Sequence, residues 1–196
     1  MPPVTIVAPP EREFYAKYLN CDGIGIRSSA AVDDKALRAM CGKVMVMPRH
    51  MPIEREVPRR RNAEVHIYGR AERMIDLPEF SHGADFEYLK GKGRGGYAHG
   101  GIGACPEESA RDLPPEGRMT IGICVHEFAH VINFEGFSPV RWKLLESRYK
   151  ASLAAGFWAG DYAGSNIREY WAEISARYFD DRSFPAPPRG GIGDGA

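Results

Sequence analysis

The residues that can do chemistry gather in Val125-His126-Glu127-Phe128-Ala129-His130-Val131-Ile132. Two histidines four residues apart on a helix project from one face, one turn apart. Both imidazoles can then reach a single Zn²⁺ at about 2.0–2.1 Å. Glu127 stands beside the first of them and can take a proton from a water that zinc has made more acidic. A chance His-Glu-x-x-His falls most often on a loop or an exposed helix. This one is flanked by Ile121, Ile123, Phe128, Ala129 and Ile132. Burying two unpaired histidines and a glutamate there is unfavourable, and a metal offsets that cost.

A catalytic zinc needs a third protein ligand and an open position. The remaining histidines, His50, His66, His82 and His99, all lie upstream, and no histidine follows Phe134-Glu135-Gly136-Phe137. The four cysteines, Cys21, Cys41, Cys105 and Cys124, are too widely spaced for a Cys-x-x-Cys zinc site. The third ligand is therefore sought in Asn166-Ile167-Arg168-Glu169-Tyr170-Trp171-Ala172-Glu173. Glu169 and Glu173 sit one turn apart on a helix that its aromatic neighbours mark as buried, and buried carboxylates need partners. One can bind the metal while the other accepts the free N–H of a ligand histidine. Glu169 is assigned to the metal and Glu173 to the histidine, although spacing alone also permits the converse.

His126-Glu127-Phe128-Ala129-His130, then Tyr162-Ala163-Gly164-Ser165-Asn166, then Glu169-Tyr170-Trp171-Ala172-Glu173 resembles the gluzincin metallopeptidases. Within them the pattern is similar to the catalytic domain of anthrax lethal factor and related secreted bacterial and fungal domains. The likeness covers roughly residues 95–180, with Glu107-Glu108 resembling a Glu-Glu pair of some relatives. It implies Glu169 as third zinc ligand and Tyr162 as support for the oxyanion. A phenol O–H near zinc can donate to a developing negative oxygen, whereas the plain reading of Tyr162 is an ordinary half-buried tyrosine. His99 reads as a solvated loop histidine and Glu146 as a surface glutamate. The expectation is a zinc metallopeptidase acting on a peptide or protein. Its rivals are a zinc enzyme with a small-molecule substrate and a non-catalytic zinc-binding module.

Composition sets the frame. The chain has 196 residues and a formal net charge of zero, with 26 basic and 26 acidic side chains. Balanced charge gives no reason to expect nucleic acid or an anionic membrane as partner. Arg59-Arg60-Arg61 reads as a solvated loop. No apolar run has the length of a membrane helix, and Met1 to Pro10 is no signal peptide, so the chain is expected to be cytoplasmic or to lack its leader. The missing leader tilts the cysteines toward free thiols over two bridges.

The elements that must position the site follow from periodicity. Residues 1–10 read as an irregular arm and 11–19 as a short helix. Residues 23–28 and 64–69 alternate as strands. Asp33 or Asp34 caps a helix running to Met47, whose Leu37, Met40, Cys41 and Val44 form a core stripe. The glycine-rich stretch 91–105 reads as a loop around an exposed strand. Helices are expected over 118–134, 140–156 and 166–179, and a disordered tail after Phe184. Together these predict a single α+β, zincin-like domain over residues 1–184. In it a small sheet covers the His-Glu-x-x-His helix, and a helical lower part carries Glu169. The segment 94–104 is the candidate edge for a substrate strand.

Overall fold

The computed structural model describes residues 1–113 and 122–179. It is mixed α+β, built on a six-stranded sheet. In chain order the strands are β1 (Thr5–Glu11), β2 (Tyr15–Cys21), β3 (Ile24–Ser28), β4 (Glu64–Tyr68), β5 (Tyr97–His99) and β6 (Ile102–Pro106). The spatial order is β1-β2-β3-β4-β6-β5. The first three strands form an antiparallel meander, β4 lies parallel to β3 and to β6, and β5 closes the far edge antiparallel to β6. Parallel neighbours need long crossovers. The first of these carries helices α1 (Asp34–Val46) and α2 (Pro52–Arg60), the second α3 (Phe86–Gly91). After β6 come α4 (Glu107–Ala110), α5 (Ile123–Gly136), α6 (Pro139–Ala154) and α7 (Ile167–Phe179).

The N-terminal segment corrects two expectations. Residues 5–11 form an edge strand in place of an irregular arm, and 15–21 form a strand in place of a helix. β1 is almost wholly exposed, and Pro9 and Pro10 suit an edge. In β2 the inward positions are Lys17, Leu19 and Cys21, and a lysine there hides the alternation. Its Nζ reaches the Val32 carbonyl at 2.6 Å and Asp34 at 2.9 Å. The arginine run is also no solvated loop. It ends α2 and runs just past it, with Arg59 paired to Asp22 and Arg61 to Glu135 at 3.0 Å. Pro58 inside α2 is what disguises the helix in the sequence.

The strands over 23–28 and 64–69 and the helix capped by Asp33 are where periodicity put them. The Asp33 carboxylate accepts from the Lys35 amide at 2.9 Å, and Leu37, Met40, Cys41 and Val44 are buried. The last three helices also match, except that residues 118–121 and the tail after Phe184 lie outside the described residues. Among the described residues no helix is long and apolar enough to cross a membrane.

One core cluster fills the face of the sheet covered by α1, α5 and α7, and a second, around Tyr68, Met74, Leu77, Phe80 and Leu89, covers the other face. The cysteines are paired, not free. Cys21–Cys41 ties β2 to α1 and Cys105–Cys124 ties β6 to the first turn of α5, across Cα separations of 5.5 and 5.2 Å. Sequence separations of 20 and 19 carry no sign of that proximity.

Candidate metal centre

Helix α5 lies directly under β6. Gly103 makes this possible, because a Cβ there would stand 3.2 Å from a Val131 methyl and 3.3 Å from the Glu127 carbonyl. Its first turn is pinned by the Cys105–Cys124 bridge and by the Cys124 amide, which donates to Ser109 Oγ at 3.0 Å. Helix α7 packs across α5, and the Trp171 indole N–H donates to the Ala129 carbonyl at 2.8 Å. Asn166 caps α7 by accepting from the Arg168 and Glu169 amides at 2.9 and 3.1 Å. A carboxylate in that first turn is also favoured by the helix dipole. Glu169 is thus held facing the two histidines.

Three atoms converge. His126 Nε2 lies 3.1 Å from His130 Nε2 and 3.1 Å from Glu169 Oε2, and His130 Nε2 lies 3.4 Å from the same oxygen. Donors at about 2.0–2.1 Å from a tetrahedral ion are spaced about 3.3–3.4 Å apart, so the triangle has the dimensions of one face of such a shell. His126 Nδ1 is 3.0 Å from Glu173 Oε1. With its N–H given to that carboxylate, the His126 Nε2 lone pair points into the triangle. Among the described residues Glu169 Oε2 is buried with no hydrogen-bond partner. Protons on both imidazoles serve the two edges to Glu169 only by facing each other across the 3.1 Å edge between the rings, whereas a cation meets all three lone pairs. The residues present therefore fit a metal ion.

Charge in the cluster follows the same geometry. Burial opposes the imidazolium form of His126, yet the facing Glu169 and Glu173 carboxylates outweigh it and raise the ring to about 10, so a metal entering the triangle displaces the Nε2 proton. Burial also acts against the Glu169 carboxylate, but the two facing histidines hold it well below the usual range. The Glu127 carboxyl also comes within 4.8 Å of the imidazole nitrogens. Glu169 is nearer to both, and Glu127 stands beside the triangle. Glu127 is 8% exposed. Burial pushes it up to about 7, against the pull of His126 and Lys92.

A cleft of about 470 Å³ opens onto this cluster between β5 and the start of α7. Tyr162, 55% exposed, stands at its wall in the turn Tyr162–Gly164, its ring stacked on His126 with centroids 6.2 Å apart. Burial and the adjacent Glu169 carboxylate raise its phenol, which stays a donor at neutral pH. The turn is held by Tyr149, whose hydroxyl donates to the Gly164 carbonyl at 2.7 Å, and by Asp161, which is paired with Arg177.

The six assigned residues gather here: donors of His126, His130 and Glu169 form the triangle, Glu127 stands beside it, Tyr162 stacks on His126, and Glu173 faces the far nitrogen of that ring. His99 is exposed near Asp85, as expected, but on strand β5 and not in a loop, and Glu146 pairs with Lys150 on the surface, as its plain reading expected. The sequence did not point to the clamp over Glu127. Gly96 packs so tightly there that a Cβ would fall 2.4 Å from Glu127 Oε1. Tyr68 donates to the Gly95 carbonyl at 2.7 Å. Arg94 grips Glu108 with two hydrogen bonds of 2.5 and 2.7 Å and also caps the Arg70 and Glu72 carbonyls. Arg94 within the glycine run, with two consecutive acids after β6, was the only available signal. No protein-family model matches the chain, and neither a curated protein nor a solved structure matches it.

Proposed function

We propose that the chain is a zinc-dependent metallopeptidase of the gluzincin type with a zincin-like domain. The observation that carries this reading is the triangle of His126, His130 and Glu169, with edges of 3.1, 3.1 and 3.4 Å, beside a buried glutamate and an open cleft. A purely structural metal has no use for a carboxylate at the position of Glu127.

His126, His130 and Glu169 would hold the zinc, whose chemistry is to polarise a carbonyl and acidify a water. Glu127 takes a proton from the attacking water and returns it to the leaving amine. The Tyr162 hydroxyl donates to the oxyanion that develops on the carbonyl. Glu173 keeps His126 in the tautomer with a free Nε2 lone pair. β5 borders the cleft at the sheet edge, where among the described residues one side of its backbone has no strand partner and an extended peptide can add. That edge favours a peptide over a compact metabolite. The two bridges suit an oxidising compartment.

Zinc stoichiometry measured beside a peptide-library cleavage assay tests the proposal, with Glu127→Ala as control. One zinc per chain with cleavage abolished by Glu127→Ala is the expected result. Stoichiometric zinc without any peptide cut would transfer the site to another hydrolysis, and wild type that takes up no zinc would end the reading.

A further inference from the structure

The cleft has a direction. Gly96 sits against Ile123 and Glu127 near the start of α5, while a Cβ on Gly101 would stand 3.4 Å from Glu135 near its end. β5 therefore runs alongside α5 in the same sense, and a chain laid on β5 passes along the helix. At the Glu127 end stands Lys92, its ammonium 4.9 Å above the Tyr88 ring. At the other end Arg168 lies 4.7 Å above Phe134, whose ring stacks on His130 with centroids 5.9 Å apart. Glu127 and Phe134 are separated by about 10 Å of helix, the length of about three residues of extended peptide.

These two cations differ from their neighbours. Arg94 is bound to Glu108, Arg177 to Asp161 and Arg61 to Glu135. Among the described residues neither Lys92 nor Arg168 has a carboxylate within ion-pair distance. The acids nearby are engaged. Glu169 and Glu173 face the imidazoles, and Asp85 faces His99 at 3.6 Å. A divalent ion in the triangle balances Glu127 and Glu169 and leaves Lys92 and Arg168 as the net charge of the cleft. Each is steadied by an aromatic face and free to take an anion.

We infer that the cleft selects peptides bearing two carboxylates about three residues apart, read by Lys92 at the Glu127 end and Arg168 at the other. This inference rests on the peptidase reading. Binding separates the two. Zinc-loaded Glu127→Gln protein is titrated, by fluorescence anisotropy at low salt, with labelled peptides that carry two Asp about three residues apart and with their Asn counterparts. The Asp peptides are expected to bind about tenfold tighter, the joint effect of two partly exposed ion pairs, and the gap should narrow as salt rises. Lys92→Glu with Arg168→Glu should reverse the ranking toward Lys-bearing peptides, while Arg168→Lys keeps it. Equal binding of Asp and Asn peptides, or an unchanged ranking after charge reversal, overturns the inference. Wild type that prefers acidic peptides but cuts none would remove the peptidase reading and leave the charge selection standing.

Discussion

The two faces of the sheet each bury a histidine among carboxylates, with opposite outcomes. On the face away from α5, His66 is wholly buried. Its Nδ1 is 2.9 Å from the Tyr15 hydroxyl and its Nε2 is 2.8 Å from Glu64. Tyr15 also donates to Glu79 at 2.5 Å, and Arg27 and Arg12 cap the carboxylates from outside. Protons satisfy that cluster. On the α5 face, two imidazole nitrogens and a carboxylate oxygen point at a common centre, and Glu169 Oε2 has no hydrogen-bond partner among the described residues. Histidine beside carboxylate is common to both. What distinguishes a metal site is convergence of lone pairs that protons cannot all satisfy.

That contrast can be broken most directly by removing one histidine from each face. His126→Ala should abolish zinc binding and hydrolysis altogether, while His66→Ala should leave zinc content unchanged, both read by metal analysis. Glu127→Gln, which spares the triangle, should keep zinc and lower kcat by about 10²–10⁴-fold, the worth of a positioned proton acceptor. His66→Ala should instead lower stability by about 3–5 kcal/mol, because it strands buried carboxylates.

The His66 cluster also makes a pH prediction. Burial opposes the His66 imidazolium, but Glu64 and Glu79 raise it, so its contribution is full below an unfolded value of about 6.5 and fades as pH rises through the folded one. Burial also acts against Glu79, which its hydrogen bonds nonetheless lower from 4.5 to about 2. Its contribution is full above about 4.5 and fades between there and about 2. The cluster should be strongest between about pH 4.5 and 6.5. Denaturant melts across pH should show this window in wild type and lose it in His66→Ala.

Smaller effects sharpen the site side of the comparison. Gly96→Ala should displace the Glu127 carboxyl and lower kcat by about 10²-fold with zinc retained, since misplacement on the order of 1 Å has that effect. Glu173→Gln should weaken zinc affinity by about 10–100-fold, seen by competition with a chelator, because His126 loses the carboxylate that fixes its tautomer.

Local chemistry was legible where period and capping agree. A cap at Asp33 or Asp34, the Leu37–Met40–Val44 stripe, and the helices bearing His126 and Glu169 follow from residue type and spacing, because one turn of helix decides what shares a face. β2 was misread because Lys17 stands at an inward position and finds partners only in α1. The arginine run was read as a loop, although its first two residues end α2, whose pattern Pro58 interrupts.

The sequence by itself determined which side chains could bind a metal, since ligand type and helical spacing are local properties. Only the tertiary structure decided that Cys21 meets Cys41 and Cys105 meets Cys124. It alone also laid Gly96 on Glu127 under the grip of Arg94 and Glu108, and set Lys92 and Arg168 at opposite ends of one cleft. Those contacts join residues far apart along the chain. Their closeness depends on how sheet and helices pack, which no local period encodes.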